Sequence, residues 1–458
     1  MSKTTTIYAL STPQGIGALA LIRVSGPNAI PLLEKIVDRK LNTLEHGKAI
    51  FCRIQSKGNI IDEIILTYFK DPNSFTGENT IEISTHGSPF IIGEILKLLE
   101  EFGGTMAQPG EFSQRAFLNG KMDLSQAEAV ADLIASENEA AHSIAMNQLR
   151  GGFSNEIKIL REELINFASL IELELDFSEE DVEFANREQL VKLLEKINSI
   201  LNLLIDSFKY GNAIKNGIPV AIIGAPNAGK STLLNALLNE EKAIVSAIPG
   251  TTRDVIEDTV TFEGIQFRFI DTAGIRGNVN DEIEKIGIER SFEKIEQAQI
   301  VLYCGSAVKD DNTTGENILL AKVKAEELKQ KYPDKKIILV ATKTDKGNTI
   351  DKPKAPQAIF ISAKTKNIDE LKSSLIVFIR KQKTSYNNVI VTNVRHHSAL
   401  IKARESLLRA NEGLTNKISG DLIAMDIRQS LHYLGEITGT ISTEDLLGNI
   451  FGKFCIGK

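Results

Sequence analysis

The sequence predicts a multidomain protein that combines an α+β domain, an α-helical domain and a doubly wound α/β domain inserted into the helical one. The spacing of the apolar residues carries this prediction. Short apolar runs separated by turn residues occupy 1–120, and apolar residues recur every three or four positions in 121–215 and again in 383–458. In 216–382 apolar runs alternate with helical spacing, which is typical of parallel α/β domains.

The composition is that of a globular protein, with 42% hydrophobic and 25% charged residues. A net charge of −7 argues against non-specific nucleic-acid binding through bulk charge, although a local basic face is allowed. Cys52, Cys304 and Cys455 are too few and too far apart for a disulfide framework or a zinc motif. We find no signal-like stretch and no long apolar segment, so we expect a cytoplasmic protein without a membrane partner.

Strand-like and helix-like segments alternate through the first part of the chain, which favours an α+β domain. Turn residues separate the short apolar runs there, as expected for strands joined by loops. The predicted strands are 7–10, 18–22, 60–69 and 80–84, and the predicted helices are about 28–40 and 88–102.

The helical part is predicted to begin at Asp123, because Asp123 and Gln126 have the spacing of a capping box. Helical spacing then continues to about residue 210, and Gly151 and Gly152 are expected to separate two helices. It returns over 395–436. We expect antiparallel helices packed as a bundle, into which the α/β domain is inserted.

Residues 224–231 read Gly-Ala-Pro-Asn-Ala-Gly-Lys-Ser, which matches the phosphate-binding pattern G-x-x-x-x-G-K-S. The pattern follows a predicted strand and opens a predicted helix, which is the context that it requires. Glycine backbone N–H groups would wrap the phosphates, Lys230 would neutralise the β and γ charge, and Ser231 would ligate Mg²⁺. The other predicted strands of this Ras-like doubly wound P-loop domain are 267–270, 300–303, 337–341 and 358–361.

Two further segments predict a nucleotide switch. Residues 271–274, Asp-Thr-Ala-Gly, follow a predicted strand, so the Asp can hold Mg²⁺ through water and the Gly N–H can meet a γ-phosphate. Residues 250–254, Gly-Thr-Thr-Arg-Asp, place Thr252 to complete the Mg²⁺ shell. Ile275 stands where Ras-like proteins have a glutamine that orients water, so catalysis needs another group or a partner. The nearest candidates are Arg276, Asp281, Glu282 and Glu284.

The base is predicted to be guanine. Residues 342–345, Thr-Lys-Thr-Asp, resemble the guanine motif N-K-x-D, whose Asp accepts two hydrogen bonds that adenine cannot supply. Residues 362–364, Ser-Ala-Lys, follow the next strand and can contact guanine O6 through the backbone. Because Thr342 replaces the usual Asn, we expect somewhat weaker nucleotide binding with guanine preference retained by Asp345.

The predicted GTP contacts come from five segments of the inserted domain. They are Asn227, Ala228, Gly229, Lys230, Ser231, Thr232, Ser246, Ala247, Ile248, Pro249, Gly250, Thr251, Thr252, Asp271, Thr272, Ala273, Gly274, Lys343, Asp345, Ser362, Ala363 and Lys364.

These motifs together resemble one family. The P-loop with Asn227, the segments 250–254 and 271–276, the split helical domain and the end 454–458, Phe-Cys-Ile-Gly-Lys, are similar to MnmE, also called TrmE, a family of tRNA uridine modification GTPases. The stretches Leu-Ile-Arg-Val-Ser-Gly-Pro and Phe-Leu-Asn-Gly-Lys-Met-Asp-Leu, which begin at residues 21 and 117, carry the same resemblance. It covers essentially the whole chain.

The resemblance implies an N-terminal folate-binding domain that also forms a homodimer, and a heterotetramer with the FAD-dependent partner MnmG. The complex would add an aminomethyl-type group to C5 of the wobble uridine, position 34, of certain tRNAs. A tetrahydrofolate, in the 5,10-methylene or 5-formyl form, would supply the one-carbon unit. The residues expected to contact the folate are Arg23, Glu82, Lys121 and Lys458.

The resemblance also implies activation by K⁺, which would lie between the β- and γ-phosphates and let two G domains meet. The expected K⁺ ligands are Asn227, Ser246, Ile248 and Thr251. Glu284 matches the family's catalytic glutamate, with Glu282 as its competitor, and a solvated acidic helix start is the alternative for both. Cys455 is either a nucleophile for uridine C6 or a small buried side chain.

Two other functions stay open at the level of sequence. One is a regulatory GTPase of the ribosome-assembly kind, without covalent chemistry on RNA; it usually carries an appended RNA-binding module, which we do not find in the sequence. The other is a one-carbon transferase whose G domain acts only as a sensor.

Overall fold

The computed structural model describes residues 5–41, 44–176, 187–239, 258–270, 293–309, 317–346, 349, 355–384, 389–416 and 418–457. The following bounds and contacts concern these residues.

The N-terminal part is built on a six-stranded sheet with the order β3-β4-β5-β2-β1-β6. Its strands are antiparallel except for the parallel pair β1–β6. Helices α1 and α2 flank it, and apolar side chains from the sheet and the helices form one buried core. The elements are β1 (Ile7–Leu10), β2 (Gly17–Ser25), α1 (Ala29–Glu34), β3 (Ala49–Ser56), β4 (Asn59–Phe69), β5 (Thr80–Gly87), α2 (Pro89–Glu101) and β6 (Thr105–Met106).

The predicted strands of this domain and the helix α2 are confirmed, but the helix predicted over 28–40 is wrong beyond Glu34. Val37 forms an antiparallel bridge with Ile54, and the N–H of Asp38 donates to the Arg53 carbonyl at 3.0 Å. Pairing with the edge strand β3 therefore overrides the helical spacing. The strand β3 itself was missing from the sequence prediction.

The N-terminal part ends with the helix α3 (Glu111–Leu118). The helical part contains α4 (Leu124–Ile134), α5 (Glu139–Leu149), α6 (Gly152–Asp176), α7 (Arg187–Asn216), α11 (Val394–Thr415), α12 (Gly420–Thr438) and α13 (Glu444–Phe451). The capping box is confirmed, because the Asp123 N–H donates to Gln126 Oε1 and the Gln126 N–H donates to Asp123 Oδ1, both at 2.9 Å. The helix break at Gly151 is also confirmed. Helix α12 packs against α6 and α4.

The inserted domain is built on a second six-stranded sheet with the order β12-β11-β10-β7-β9-β8, parallel except for the pair β8–β9. All five predicted strands are present, and β8 is an additional edge strand. The elements are β7 (Ile218–Gly224), α8 (Lys230–Asn239), β8 (Asp258–Phe262), β9 (Ile265–Phe269), β10 (Ile300–Ser306), α9 (Ile318–Lys331), β11 (Lys336–Thr342), β12 (Ile359–Phe360) and α10 (Asp369–Thr384).

The chain divides into two compact units. One consists of Met1–Ile134, Met146–Asn198 and Ala399–Lys458, and the other of Ala135–Ala145 and Ser199–Ser398. The four-part boundaries predicted above, at 120, 215 and 382, stay a prediction. Among the described residues, no helix combines the length and the apolar character needed to cross a bilayer.

Candidate functional site

The phosphate-binding loop joins β7 to α8, as the sequence predicts. Gly224 has φ +141°, and a Cβ there would overlap the carbonyl of Cys304 on the neighbouring strand β10. Gly229 has φ +86°, and Asn227 is one of the few non-glycine residues with positive φ, at +56°. Glycine is thus required where the loop leaves the sheet and where it enters the helix. The loop brings its backbone N–H groups to the N-terminus of α8.

Lys230 lies over this loop. Its Nζ donates to the carbonyls of Gly224 at 2.9 Å and Ala225 at 2.7 Å. Behind the loop the Cys304 thiol is fully buried, and burial raises its pKa to about 12 against the opposing effect of the Lys230 charge. Cys304 is therefore a neutral packing residue, and Lys230 supplies the positive charge of the loop.

The residues predicted to read the base meet at the ends of β11 and β12. Ser362 Oγ donates to Asp345 Oδ1 at 2.8 Å. This hydrogen bond is the main reason that the pKa of Asp345 lies below its usual range, and the charges of Lys364 and Lys346 act in the same direction. Asp345 is exposed while Ser362 is buried. The carboxylate is therefore ionised and oriented, as an acceptor of two N–H groups must be.

The phosphate-binding loop and the residues predicted to read the base line one cavity of about 380 Å³. The residues that line it are Asn227, Gly229, Lys230, Ser231, Thr232, Thr342, Lys343, Asp345, Lys346, Ala363 and Lys364. Of the predicted GTP contacts, Ala228 and Ser362 are buried next to this lining rather than in it. Sequence reasoning missed Lys346 as a lining residue; its position directly after Asp345 was the available signal.

The remaining nucleotide predictions lie outside the described residues. They are Ser246, Ala247, Ile248, Pro249, Gly250, Thr251, Thr252, Asp271, Thr272, Ala273 and Gly274, together with the catalytic candidates Arg276, Asp281, Glu282 and Glu284. The folate candidate Lys458 also lies outside them.

A second site gathers around the predicted folate residues Arg23 and Glu82. They are direct partners across β2 and β5, and Arg23 Nη2 lies 2.8 Å from Glu82 Oε1. The Arg23 guanidinium stands 5.4 Å from the centre of the Phe75 ring and 5.7 Å from that of Phe112. Phe112 is fully buried, whereas Phe75 is half-buried. A partly exposed ion pair beside one accessible aromatic ring suits a ligand that has both a ring system and charged groups.

Lys121 belongs to the same neighbourhood, since its Nζ donates to the carbonyl of Pro72 at 2.9 Å, in the loop that carries Phe75. Further along that loop, the side chain of Lys121 packs against Gly77. The loop before β5 thus connects Lys121 to the surroundings of Arg23.

The segment that contains Cys455 packs near this second site. The Gly110 N–H donates to the Cys455 carbonyl at 3.3 Å, and Ser11 Oγ donates to the Gly457 carbonyl at 3.2 Å. The Cys455 side chain is exposed, so its interpretation as a small buried residue is wrong. Its catalytic role stays a prediction.

Among the described residues, no group of three or more His, Cys, Asp or Glu side chains is placed to hold a metal ion. Ser231, in the cavity lining, offers the kind of hydroxyl oxygen that Mg²⁺ takes beside phosphate oxygens. Asn227 offers an amide oxygen at the same cavity.

Comparison with known proteins agrees with this architecture. The model of the MnmE helical domain matches residues 124–455, and the model of the GTP-binding protein TrmE N-terminus matches residues 6–121. The relatives named tRNA modification GTPase MnmE include proteins from Flavobacterium psychrophilum (53% identical over 467 residues), Christiangramia forsetii (51% over 476) and Bacteroides thetaiotaomicron (50% over 470). Each of these three alignments covers 99% of this chain and 99% of the relative. The chain therefore belongs to the MnmE family of tRNA modification GTPases.

Proposed function

We propose that this chain binds and hydrolyses GTP and that it uses the hydrolysis in tRNA modification. The observation that carries this proposal is the single cavity shared by Lys230 of the phosphate loop and the oriented carboxylate of Asp345. Guanine presents its N1–H and its exocyclic amine to one carboxylate, whereas adenine lacks that pair of donors. The names of the relatives, which cover the whole chain, supply the connection to tRNA.

Mg²⁺ and K⁺ are the proposed ions of the nucleotide site. Ser231 and Thr252 would hold Mg²⁺, and Asn227 would hold K⁺ together with Ser246, Ile248 and Thr251. When bound, the two cations neutralise negative charge on the phosphates during transfer to water. The chain's own groups contribute the Lys230 charge and the oriented N–H donors of the loop. K⁺ would also draw two G domains together.

Ile275 stands at the position where Ras-like proteins have the glutamine that orients the attacking water, and its side chain cannot polarise water. Another residue must therefore activate the water. Glu284 is the proposed residue, which would orient the water indirectly, and Glu282 is the competitor. Arg276, which directly follows Ile275, is a further candidate.

A one-carbon site is the second part of the proposal. A tetrahydrofolate, in the 5,10-methylene or 5-formyl form, would lie against the Arg23–Glu82 pair and the half-buried ring of Phe75. A carboxylate such as Glu82 suits the amines of a pterin, and cations such as Arg23, Lys121 and Lys458 suit a glutamate tail. The exposed Cys455 is the proposed nucleophile toward uridine C6.

The assembly that fits these roles is a homodimer through the N-terminal domain, joined by the FAD-dependent partner MnmG. Together they would add the aminomethyl-type group at C5 of uridine 34, and GTP hydrolysis would set the timing of that step through paired G domains.

The deciding experiment measures GTP turnover by the purified full chain in K⁺ and in Na⁺ at equal ionic strength, with Lys230→Ala as the control for a contaminating hydrolase. We expect turnover that depends on Lys230 and is at least about 10-fold faster in K⁺. Equal rates in both salts would refute the K⁺ mechanism. Turnover that survives Lys230→Ala would refute the assignment of the site.

The tRNA part is tested separately, by adding MnmG, GTP, 5,10-methylene-tetrahydrofolate, unmodified tRNA and glycine or ammonium as the amine donor, and by measuring the mass of the wobble nucleoside. An unchanged nucleoside beside normal GTP turnover would favour the ribosome-assembly kind of GTPase. Tight folate binding without any effect on tRNA would favour the one-carbon transferase.

A further inference from the structure

The Phe75 loop, residues 70–79, joins β4 to β5 and carries Phe75 to the proposed one-carbon site. The Phe75 ring lies 5.4 Å from the Arg23 guanidinium, and it packs against the apolar cluster that contains Ile7 and Phe112. A free loop would sample many backbone conformations. The position of this ring therefore depends on the contacts that hold the Phe75 loop in place.

The residue after Phe75 is held from two sides. Asn119, which caps the C-terminus of α3, donates from Nδ2 to the Thr76 carbonyl at 2.8 Å. Thr76 Oγ1 lies 2.7 Å from Ser25 Oγ on β2, and both of these residues are fully buried, so water does not compete for this hydrogen bond. The backbone next to Phe75 is thus fixed both by α3 and by the sheet.

Arg115, one turn before Asn119 on α3, holds the Phe75 loop at Glu78. Arg115 Nη1 lies 3.2 Å from Glu78 Oε2, and Nη2 lies 2.9 Å from Glu111 Oε1. Glu78 Oε2 also accepts from Ser25 Oγ at 2.9 Å. The three charged side chains are only 10% to 16% exposed, so water screens these charge-assisted hydrogen bonds little. Arg115 therefore fixes a second point of the loop.

Close packing accompanies these hydrogen bonds. Gly77 has φ +75°, and a Cβ there would lie 3.1 Å from Asn119 Cβ and 3.2 Å from Lys121 Cγ. Arg115 and Asn119 are four residues apart, so they lie on the same face of α3. Residues 115–121 thus form one surface against which the Phe75 loop packs, and a movement of the loop would break these contacts together.

We propose that Asn119 and Arg115 are positioning residues of the one-carbon site: they fix the Phe75 loop and thereby hold the Phe75 ring beside Arg23, where the ring system of a tetrahydrofolate would pack. This inference rests on the proposed one-carbon site and adds two residues to it. Neither of them is proposed to touch the ligand; both act through Phe75.

This indirect role has a measurable signature. Without the Asn119 donor the ring spends part of its time away from Arg23, and we expect the dissociation constant of 5-formyl-tetrahydrofolate to rise about 3- to 10-fold, the usual effect of one hydrogen bond. Once Phe75 is replaced, its position no longer matters. Loss of the Asn119 donor in Phe75→Leu protein should then change that constant by less than about 2-fold. A general loss of stability would instead weaken binding in both backgrounds.

The test measures binding of 5-formyl-tetrahydrofolate to the full chain by calorimetry. It compares Asn119→Ala with Arg115→Lys, which keeps the charge and loses the fork that bonds two carboxylates, and repeats Asn119→Ala in the Phe75→Leu background. Gln114→Ala, at a half-buried position on another face of α3, is the matched control. Thermal unfolding monitors the fold, and GDP affinity monitors the other compact unit. If one positioning variant does not fold, the other decides.

We expect both positioning variants to lose folate affinity, while the control variant and the binding of GDP stay close to the unaltered protein. Unaltered folate affinity of folded Asn119→Ala overturns the proposal. So does an equal loss with and without the Phe75 ring, which would show that Asn119 does not act through Phe75. Failure of the unaltered chain to bind 5-formyl-tetrahydrofolate would instead overturn the proposed one-carbon site.

Discussion

Replacing Ser362 by Ala should weaken guanine nucleotide binding and make it more sensitive to acid. Ser362 Oγ donates to Asp345 Oδ1 at 2.8 Å and accepts the Thr365 N–H at 3.3 Å. The substitution removes the donor that holds the carboxylate in one orientation. It leaves the backbone of the segment and the neighbouring Lys364 in place.

The magnitude follows from the surroundings of the two partners. A hydrogen bond to a charged group contributes about 1.5–3 kcal/mol when it is shielded from water. Asp345 is exposed, so water replaces part of the lost bond, and we expect a loss of about 1 kcal/mol. That free energy corresponds to roughly a 5-fold higher dissociation constant for GDP. In the proposed site the carboxylate accepts from the guanine amine, which IDP lacks, so the ratio of the GDP and IDP dissociation constants should move toward one.

The pH dependence has a definite sign. The Ser362 hydrogen bond holds the pKa of Asp345 below its ordinary value of 3.8 in the folded protein. The stability that the ionised carboxylate contributes is therefore present at neutral pH and is lost as the pH falls through the lowered pKa. Ser362→Ala raises that pKa, so the variant is less stable at neutral pH and the two unfolding curves converge in acid.

Calorimetric titration of GDP and IDP between pH 4 and pH 7 measures the affinity, and chemical denaturation across the acid range measures the stability. Thr365→Val is the matched control, because only its backbone N–H joins the network. An unchanged GDP dissociation constant in Ser362→Ala, with an unchanged ratio to IDP, would show that the serine does not orient Asp345.

Three further predictions concern other parts of the molecule. Gly224→Ala, at φ +141°, places a Cβ against the Cys304 carbonyl, and we expect the free energy of unfolding to fall by more than about 2 kcal/mol. Thermal unfolding measures the effect, and an unchanged unfolding temperature would contradict the close approach of β7 and β10. Glu82→Gln removes the charge that pairs with Arg23 and should weaken binding of 5-formyl-tetrahydrofolate about 10-fold by calorimetry while GDP binding is unchanged; equal folate binding would argue against the second site. Gln126→Ala removes half of the capping box of α4 and should cost about 1 kcal/mol in chemical denaturation, with GDP affinity as the control; no loss would mean that the cap adds nothing in this context.

Local signals in the sequence were sufficient for much of the fold. The capping box at Asp123 and the glycine pair at 151 act through atoms a few residues apart, so their effect can be predicted without knowing the fold. The helix predicted to reach residue 40 failed because Val37 bridges to Ile54 in the sheet. The spacing of apolar residues does not show that a distant strand will pair with the segment in place of a helix.

In the candidate site, too, some features could be predicted from the sequence and others depend on long-range contacts. Motifs at the ends of parallel strands meet at one edge of the sheet, so the convergence of Lys230 and Asp345 could be predicted from sequence order. The contact of Thr342 with the Ala228 carbonyl could not, because it depends on which backbone oxygen lies within reach of a side chain from a distant strand. The exposure of Cys455 is likewise a property of the packed chain.

The hydrogen bond between Ser11 and Gly457 joins residues that lie 446 positions apart. During translation, the whole nucleotide-binding insert is synthesised after the N-terminal sheet and before Gly457 leaves the ribosome. The Arg23 neighbourhood therefore acquires its last flanking segment only in chains that were translated through the insert. Ribosomal products that stop early would keep a folded sheet without the segment that carries Cys455. Chains that terminate early should therefore lack the complete form of the proposed one-carbon site.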